Sequence, residues 1–373
     1  MLAIHRFRRI HVIALVVAAA AWADAASAIT LRIDYGTDTG SFFGAGNPDG
    51  AAAGTDAKEA LDAAALFYSS ILDDTFSAIT PPTKFYGSLG GEATWYWKRK
   101  FPHPETGRTD AQLNESFDAN EYVVFVGARP LPDSDLGRGG AGGWSVRGSS
   151  RNGDFTADEK NLLDQMDDDF IDAVSKRGET SGFGIWGGSI AFNTAKAWHF
   201  DHTTNPTGNR FDFFSVALHE LGHALGLGSS SQWTNLVSGT SFTGTNANAV
   251  YALTSQVPLA SPTDKAHWLA GIADSTVYEG GASQKPIMIP DLPVNTRRQL
   301  TNLDAAALTD LGWQIDLPIA ATATATASLA SAAEFGGSAG VAALTASVVP
   351  EPTGIVLMFL GVLALRCASR LNR

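Results

Sequence analysis

The chain has 373 residues and a formal net charge of −12, and only residues 29–316 have the pattern of a folded domain or of two lobes. Without the basic ends, 20 basic residues stand against 35 acidic ones, so nucleic acid is excluded as an expected partner. Apolar residues make up 45% and aromatic residues 10%, which excludes a disordered chain. The single cysteine, Cys367, lies near the C-terminus, so the folded part has no disulfide and no thiolate metal site.

The N-terminal 28 residues have the order of a secretory signal peptide. A basic stretch from Arg6 to Arg9 precedes an apolar run from Ile10 to Ala21, and Ala26-Ser27-Ala28 supplies the small residues that signal peptidase requires. A membrane anchor is the alternative, but the run is short for a span of about 20 residues. We therefore expect a mature chain that starts near Ile29.

Four elements are predicted in the first part of the folded chain. Ile29 to Tyr35 alternates like a strand, and Lys58 to Ser77 has apolar residues at helical spacing. Tyr122 to Ala128 is a continuous apolar run, which is typical of a buried strand. The segment from Gly137 to Gly143 predicts a glycine-rich loop.

Four further elements are predicted farther along the chain. Thr156 and Glu159 form a capping box that starts a helix ending near Lys176. Short strands are expected at 183–186 and 189–193, and Asp212 is a plausible N-cap for an apolar helix that reaches Leu225. After Gly228 little regular pattern is found until a last short helix at 302–311.

The motif that predicts chemistry lies inside the apolar helix after Asp212. In His219-Glu220-Leu221-Gly222-His223 the two histidines are four residues apart, so both imidazoles lie on one helix face and can reach one zinc ion. Glu220 lies about a quarter turn away, where it would face the water activated by the metal and act as general base. A chance match on an exposed helix is the alternative.

The surroundings of this motif resemble the zinc helix of the metzincin peptidases, and of the matrixins in particular. Gly226 matches the family's glycine after the second histidine, and the segment 187–193 is similar to the matrixin edge strand, which binds substrate as an added strand. The resemblance implies an α+β zincin fold, with a twisted mixed β-sheet, long helices and a zinc cleft. The cleft would separate an upper lobe, 29–228, from a lower lobe, 229–316.

The sequence departs from the matrixin pattern at the third zinc ligand. The family's third histidine is expected at position 229, which is Ser229 here, and a serine hydroxyl is a poor zinc ligand. His267 is the favoured replacement, because Ala266-His267-Trp268 resembles the displaced histidine segment of leishmanolysin-type metzincins. Residues 230–264 would then be an inserted loop. His199 and His202 are the alternative ligands, and His267 could also be an ordinary packed histidine.

A second resemblance to the metzincins follows His267. Lys285-Pro286-Ile287-Met288-Ile289-Pro290 is similar to the Met-turn, which implies that Met288 packs beneath the zinc ligands without coordinating the metal. By the same resemblance, 290–292 would line the pocket for the substrate residue just after the cleaved bond. Residues 301–313 would form the closing helix. A buried core methionine is the alternative for Met288.

Two other groups of polar residues are weaker candidates for metal sites. His199, Asp201 and His202 could hold a second metal, although a capped loop is the favoured interpretation. Asp133 and Asp135 beside the glycine-rich segment could bind Ca²⁺, although a polar turn is favoured.

The C-terminal segments predict export and membrane processing. Residues 317–348 are rich in Ala, Thr and Ser, which suits a linker, and 349–373 carries Pro350-Glu351-Pro352, an apolar run and a basic end. This order resembles the PEP-CTERM sorting signal of Gram-negative bacteria. The resemblance implies transient membrane insertion, an exosortase partner, and a final place in the periplasm, at the cell surface or outside the cell. An ordinary C-terminal anchor is the alternative.

The combined interpretation is an exported zinc endopeptidase that hydrolyses proteins or peptides. His219, His223 and His267 would bind Zn²⁺, and Glu220 would be the general base. Ser229 motivates an alternative from another class, a catalytically inactive zincin domain that serves as a surface adhesion or matrix-binding module. A metal-dependent hydrolase of a non-protein substrate has no sequence feature in its favour beyond the shared zinc helix.

Overall fold

The computed structural model describes residues 29–132, 134–179, 183–251, 256–278 and 280–317, which belong to one compact unit. The expected signal peptide, the sorting signal and the linker beyond residue 317 lie outside these described residues. Within the described ranges, no helix is both long enough and apolar enough to cross a membrane.

The described residues form a mixed α+β fold, which confirms the predicted fold class. The helices are α1 (Ala51–Ile71), α2 (Ala157–Ser175), α3 (Phe213–Ala224), α4 (Ser231–Asn235), α5 (Thr245–Tyr251) and α6 (Asn302–Leu311). The first eight strands are β1 (Thr30–Asp34), β2 (Phe85–Tyr86), β3 (Glu92–Pro102), β4 (Thr109–Leu113), β5 (Glu121–Arg129), β6 (Gly137–Ala141), β7 (Gly143–Asn152) and β8 (Gly187–Asn193). Short two-residue strands follow: β9 (Trp198–His199), β10 (Phe211–Asp212), β11 (Val237–Ser238), β12 (Ser241–Phe242), β13 (Val257–Pro258), β14 (Ser275–Thr276) and β15 (Ser283–Gln284).

The sheet that packs against α3 has the strand order β1-β5-β8-β6. Strands β1, β5 and β8 are parallel, and β6 pairs with β8 in the antiparallel direction. Two predictions are therefore wrong. The segment 187–193 is an inner strand, not the edge strand, and the glycine-rich segment from 137 is not a loop, because its first five residues form the edge strand β6.

Strand β6 is rich in glycine because it lies directly against α3. A Cβ atom on Gly139 would lie 2.3 Å from the carbonyl oxygen of Glu220, and one on Gly137 would lie 2.7 Å from the Glu220 carboxylate. No side chain fits at such distances. A glycine cluster that predicts a turn by composition is here a strand that needs close backbone approach.

Strand β5 is apolar throughout because both of its faces are buried. Tyr122 and Val124 belong to the core between the sheet and the helices α1 and α3. Val123 and Phe125 belong to a second core, which the sheet shares with a second sheet formed by β2, β3, β4 and β7. Phe125 stacks on Phe101 of β3 with the ring centroids 4.6 Å apart.

The predicted helices are largely confirmed, with different limits for the first one. α2 has the predicted capping box between Thr156 and Glu159, and α6 has the predicted limits. α1 begins at Ala51, seven residues before the predicted start, and ends at Ile71. Its first turns are mostly small residues without apolar periodicity, so the sequence pattern did not reveal them.

Two segments differ from their predicted conformation in the second half of the chain. Residues 183–186 form no strand, and one strand occupies 187–193. The expected inserted loop at 230–264 contains α4 and α5 and the three-stranded sheet β11-β12-β13. Trp233 and Phe242 stack with centroids 4.3 Å apart and belong to the main hydrophobic core, so this segment is packed against the rest of the fold despite its polar composition.

Candidate metal centre

The helix α3 places the first two histidines. Asp212 is its N-cap and accepts a hydrogen bond of 3.0 Å from the Ser215 backbone N–H, which confirms the predicted start. The buried phenols of Tyr68 and Tyr122 donate to carbonyl oxygens of Leu218 and Ala224, at 3.0 and 2.6 Å. These bonds fix the helix against α1 and β5, so its histidine face has one orientation.

The chain turns sharply at the end of α3. Gly226 has φ +105° and Gly228 has φ +69°, both in the left-handed region, which confirms the predicted role of Gly226. The Ser229 hydroxyl donates to the His223 carbonyl oxygen at 2.5 Å and accepts from the Ala141 N–H at 3.2 Å. Ser229 thus connects α3 to β6, and its hydroxyl is engaged by the backbone.

Three imidazoles meet at this end of α3. The Nε2 atom of His267 lies 3.3 Å from that of His219 and 3.1 Å from that of His223. Among the described residues these three form the one group of histidine, cysteine or carboxylate side chains arranged to hold a metal ion. His267 therefore lies where a third imidazole ligand is required, although position 229 of the matrixin pattern is a serine here.

Hydrogen bonds donated by the Nδ1 atoms orient the three rings. Nδ1 of His219 lies 2.8 Å from the Ile287 carbonyl oxygen, and Nδ1 of His223 lies 2.7 Å from that of Leu227. Nδ1 of His267 lies 2.9 Å from the Asp264 carboxylate. Since these acceptors assign the proton to Nδ1, the three Nε2 atoms present lone pairs to one point.

This arrangement fits zinc. Three imidazoles bound tetrahedrally at about 2.0–2.1 Å place their nitrogens about 3.3–3.4 Å apart. The observed separations of 3.1 and 3.3 Å are close to this value. Three converging lone pairs without a shared proton repel one another unless a cation lies between them. His219, His223 and His267 are therefore the residues that would hold the ion.

Long-range contacts position His267. Trp268 donates from its indole to Asp304 of α6 and from its backbone to the Met288 carbonyl oxygen, both at 2.9 Å. The Ala260 N–H donates to the His267 carbonyl oxygen at 2.9 Å. The third imidazole thus depends on α6 and on the segment around Met288.

Met288 lies fully buried beneath α3. Its sulfur would be 2.9 Å from a Cβ atom on Gly222, so it packs against the helix between the two histidines. Asp304 accepts from the Ile287 N–H at 2.9 Å and from the Met288 N–H at 3.3 Å. Because the Ile287 carbonyl in turn orients His219, Asp304 supports two of the three rings.

Glu220 points from α3 toward the edge strand. Its Oε2 atom accepts a hydrogen bond of 2.5 Å from the Gly139 N–H, and its side chain lines the same cavity as the imidazoles. Gly137 leaves space beside Oε1, since a Cβ atom there would be 2.7 Å away. The carboxylate is thus held by one oxygen and open at the other.

Burial dominates the electrostatics of the site. It raises the pKa of Glu220 to about 8, which the Gly139 N–H opposes. Burial, followed by the neighbouring imidazoles, lowers the pKa of His219 well below its usual range, and burial followed by His267 lowers that of His223 to about 4. Both helix histidines are neutral at pH 7 and available as ligands.

The three imidazoles and Glu220 line a cavity of about 540 Å³. Its walls combine residues of α3, the edge strand β6 and the segment that follows Met288. The apolar part of the lining includes Val216, Ile289 and Leu292. An extended ligand can therefore lie between the edge strand and that segment, across the metal site.

The weaker metal candidates lie elsewhere. His199 contacts Thr204 through Nε2, at 3.2 Å from its carbonyl oxygen, and His202 stacks on Phe214. Neither belongs to the three-histidine group, and Asp201 accepts from Thr203, as the favoured capped loop requires. Asp135 pairs with Arg138 at 2.7 Å, and Asp133 lies outside the described residues, so calcium stays a prediction.

The fold and the site define a class of protein: a mixed α+β zincin-like domain whose three-histidine group could bind zinc. The family model for Matrixin, a peptidase family, matches residues 169–250, which include His219, Glu220 and His223 but end before His267. Together these findings support a zinc metallopeptidase of the matrixin type. No curated protein and no solved structure matches the chain.

The sequence did not reveal several residues that build the site. Asp264 and Asp304 orient the rings directly or through Ile287, and Gly139 holds Glu220. Two signals were available: Thr301 and Asp304 have the spacing of a capping box, and Asp264 lies three residues before His267. For Gly139 the sequence has no such signal.

Proposed function

We propose that this protein is an exported zinc-dependent endopeptidase. His219, His223 and His267 hold the metal and Glu220 is the general base. The observation that carries the proposal is the convergence of three Nε2 lone pairs in a cavity that also exposes a buried carboxylate. A purely structural histidine cluster, or a helix that only packs in the core, would not require the converging imidazoles and the Glu220 carboxylate to line the same cavity.

Zinc bound to the three imidazoles supplies Lewis-acid chemistry, which polarises a peptide carbonyl and acidifies a water molecule. Glu220 accepts the proton of the attacking water through Oε1, while the Gly139 N–H holds Oε2 in place. The same carboxyl group then delivers the proton to the nitrogen of the leaving amine. The Nδ1 partners keep the imidazoles in the tautomer that the metal requires.

The edge strand β6 is the proposed docking site for the substrate backbone. It pairs with β8 on one side only, and it lines the cavity beside Glu220. A peptide that adds to β6 as a further strand would cross the metal site in extended conformation. Protein or peptide substrates are therefore favoured over compact small molecules.

The experiment that tests the proposal replaces Glu220 with Gln, which keeps the size of the side chain and removes its basicity. The purified zinc-loaded protein should cleave an unfolded protein substrate, and Glu220→Gln should lower kcat by about 10²–10⁴-fold without loss of zinc. Glu59→Gln on the exposed face of α1 is the matched control and should keep full activity.

Cleavage that survives in Glu220→Gln at the wild-type rate would rule out this base. Zinc-replete wild-type protein that cleaves no member of a peptide library would instead favour the surface adhesion module. Its motivation is weaker than the sequence indicated, because the Ser229 hydroxyl is engaged in backbone hydrogen bonds and His267 joins the cluster.

Export and processing are part of the proposal and rest on the two ends of the sequence. Signal peptidase would release the chain near Ile29, and an exosortase would process the segment 349–373 after transient membrane insertion. Mass spectrometry of the protein from a Gram-negative host tests this directly. Recovery of an intact N-terminus in the cytoplasm would contradict it, and a mature N-terminus near residue 29 is the expected result.

A further inference from the structure

Two adjacent arginines beside the cavity differ in their partners. Arg297 donates from Nε and Nη2 to the carboxylate of Asp212, at 3.0 and 2.7 Å, and Asp212 is fully buried. Arg298 forms no ion pair within 4.0 Å with any carboxylate of the described residues. The charge of Arg297 is thus neutralised by the N-cap of α3, and the charge of Arg298 is not.

The backbone of Arg298 is fixed close to the metal site. Its N–H donates to the Ser215 hydroxyl at 2.7 Å, and Ser215 lies in the first turn of α3. Ser215 precedes His219 by four residues, which is one helical turn or about 6 Å along the axis. Arg298 is therefore one turn from the first metal-site histidine, on the side of the segment that follows Met288.

The guanidinium group of Arg298 is buried but incompletely bonded. The residue is 7% exposed and lines the cavity that contains the imidazoles and Glu220. Its Nη1 donates to the Asp291 carbonyl oxygen, and this is its one side-chain hydrogen bond within the described ranges. Nε and Nη2 have no protein partner there, and neither atom is completely buried.

The protein offsets only part of the cost of burying this charge. Burial lowers the pKa of Arg298, and the more distant carboxylates of Asp291 and Asp304 oppose that shift without cancelling it. The cavity lining includes the apolar side chains of Val216, Ile289 and Leu292 as well as Ser215 and Asp291. A largely buried cation without an ion-pair partner gains most from a carboxylate that arrives with a ligand.

We propose that Arg298 determines specificity by binding a substrate carboxylate on the leaving-group side of the cleaved bond. The free Nε and Nη2 atoms form the planar fork that takes a carboxylate through two parallel hydrogen bonds. The inference rests on the proposed function and on the metzincin resemblance, by which residues 290–292 would line the pocket for the substrate residue just after the cleaved bond. The preferred residue at that position is Glu or Asp.

The experiment compares two peptides that differ in one group, Glu or Gln directly after the cleaved bond. The wild-type full-length enzyme should have a kcat/KM roughly 10- to 100-fold higher for the Glu peptide. Arg298→Gln should bring this ratio to about 1, and Arg298→Lys, which keeps the charge without the fork, should give an intermediate ratio. Because both rates come from one preparation, the ratio does not depend on the active fraction.

The matched control is Arg32→Gln, which removes the same charge from an exposed ion pair on β1, at the sheet edge opposite β6. This variant should keep the wild-type ratio. Equal rates for the Glu and Gln peptides in the wild-type enzyme would overturn the inference, even if Arg298→Gln does not fold. An unchanged ratio in a folded Arg298→Gln variant would overturn it as well.

Two further measurements separate the sources of the carboxylate and the two proposals. Peptides that end one residue after the cleaved bond, as free acid or as amide, test a terminal carboxylate; a preference for the acid would assign that source to the same fork. Calorimetric affinities of the Glu and Gln peptides for the zinc-loaded Glu220→Gln protein test recognition without turnover. Tighter binding of the Glu peptide without any wild-type cleavage would support Arg298 and reject the endopeptidase.

Discussion

The two parts of the candidate metal centre, α3 and the segment that contains His267, are built in different ways. In α3, helical spacing sets His219 and His223 on one face, and nearby buried side chains fix the helix. His267 follows 44 residues after His223, and its place depends on contacts with α6 and with Met288. One part is local in sequence and the other is long-range.

This difference predicts which substitutions should weaken zinc binding although they do not replace a metal ligand. A substitution that keeps α3 helical leaves His219 and His223 on one face, because the four-residue spacing alone sets that relation. No regular secondary structure fixes the position of His267. Residues that are distant in sequence and contact its segment therefore determine where the third imidazole lies. Asp304, Asp264 and Gly228 are the three residues that the structure places in this role.

The largest effect is expected from removal of the third imidazole itself. His267→Ala should weaken zinc affinity by more than about 100-fold, beyond the range of changes to residues that only orient a ligand. His199→Ala, which removes a histidine outside the cluster, should leave the affinity unchanged. Competition with a chelating dye measures both variants, and equal affinities for the two would break the comparison.

The next effect should come from Asp304, because it supports both parts of the site. Asp304→Asn exchanges a buried acceptor of several N–H bonds for an amide, so the free energy of unfolding should fall by about 2–4 kcal/mol. Zinc affinity should fall by about 10- to 100-fold, since Ile287 and Trp268 lose their anchor.

Asp310 offers a control on the same helix. It accepts from Asn246 and Ala247 of α5, away from the metal centre. Asp310→Asn should lower the stability measured by urea unfolding but leave zinc affinity unchanged. If the two variants lose zinc equally, the effect of Asp304 is general destabilisation and not positioning.

A smaller effect on zinc affinity is expected from Asp264, because it contacts only one of the three imidazoles, that of His267. Asp264→Asn keeps an acceptor for the Nδ1–H of His267 but removes its charge, so zinc affinity should fall by about tenfold. The stability of the zinc-free protein should change little, because the Asp264 side chain is partly exposed. A loss of stability as large as that of Asp304→Asn would contradict this assignment.

The smallest effect on zinc should come from Gly228, where the turn after α3 contacts the segment before His267. A Cβ atom there would lie 2.4 Å from the Ala266 carbonyl oxygen. Gly228→Ala should cost about 2–3 kcal/mol of stability and shift His267 enough to weaken zinc binding a few-fold. Gly239→Ala, with φ +61° and open space around it, should cost about 1 kcal/mol and leave zinc binding intact.

The parts of the structure that the sequence predicted are those with local rules. The cap at Asp212, the capping box at Thr156 and the apolar run of β5 each follow from residues close in sequence, and all three are confirmed. The left-handed turn at Gly226 belongs to the same group. These features can be predicted without knowing which distant residues pack against them.

The sequence-based predictions are wrong where the conformation of a segment depends on distant residues that pack against it. Glycines at 137–143 predict a loop, but their small size serves a strand packed on α3. Residues 230–264 are polar enough for a loop, yet Trp233 and Phe242 join them to the main hydrophobic core. The sequence Arg297-Arg298 does not indicate which arginine has an ion-pair partner. The structure shows that Asp212 pairs with Arg297 and not with Arg298.

The central claim is that His267 completes the centre that α3 begins, in place of a histidine at Ser229. Zinc K-edge X-ray absorption of the zinc-loaded protein tests it most directly, through the number of imidazoles around the metal. The account predicts three imidazole nitrogens at about 2.0–2.1 Å in the wild type and in Ser229→Ala, and two in His267→Ala. Two imidazoles in the wild type, or three in His267→Ala, would contradict it.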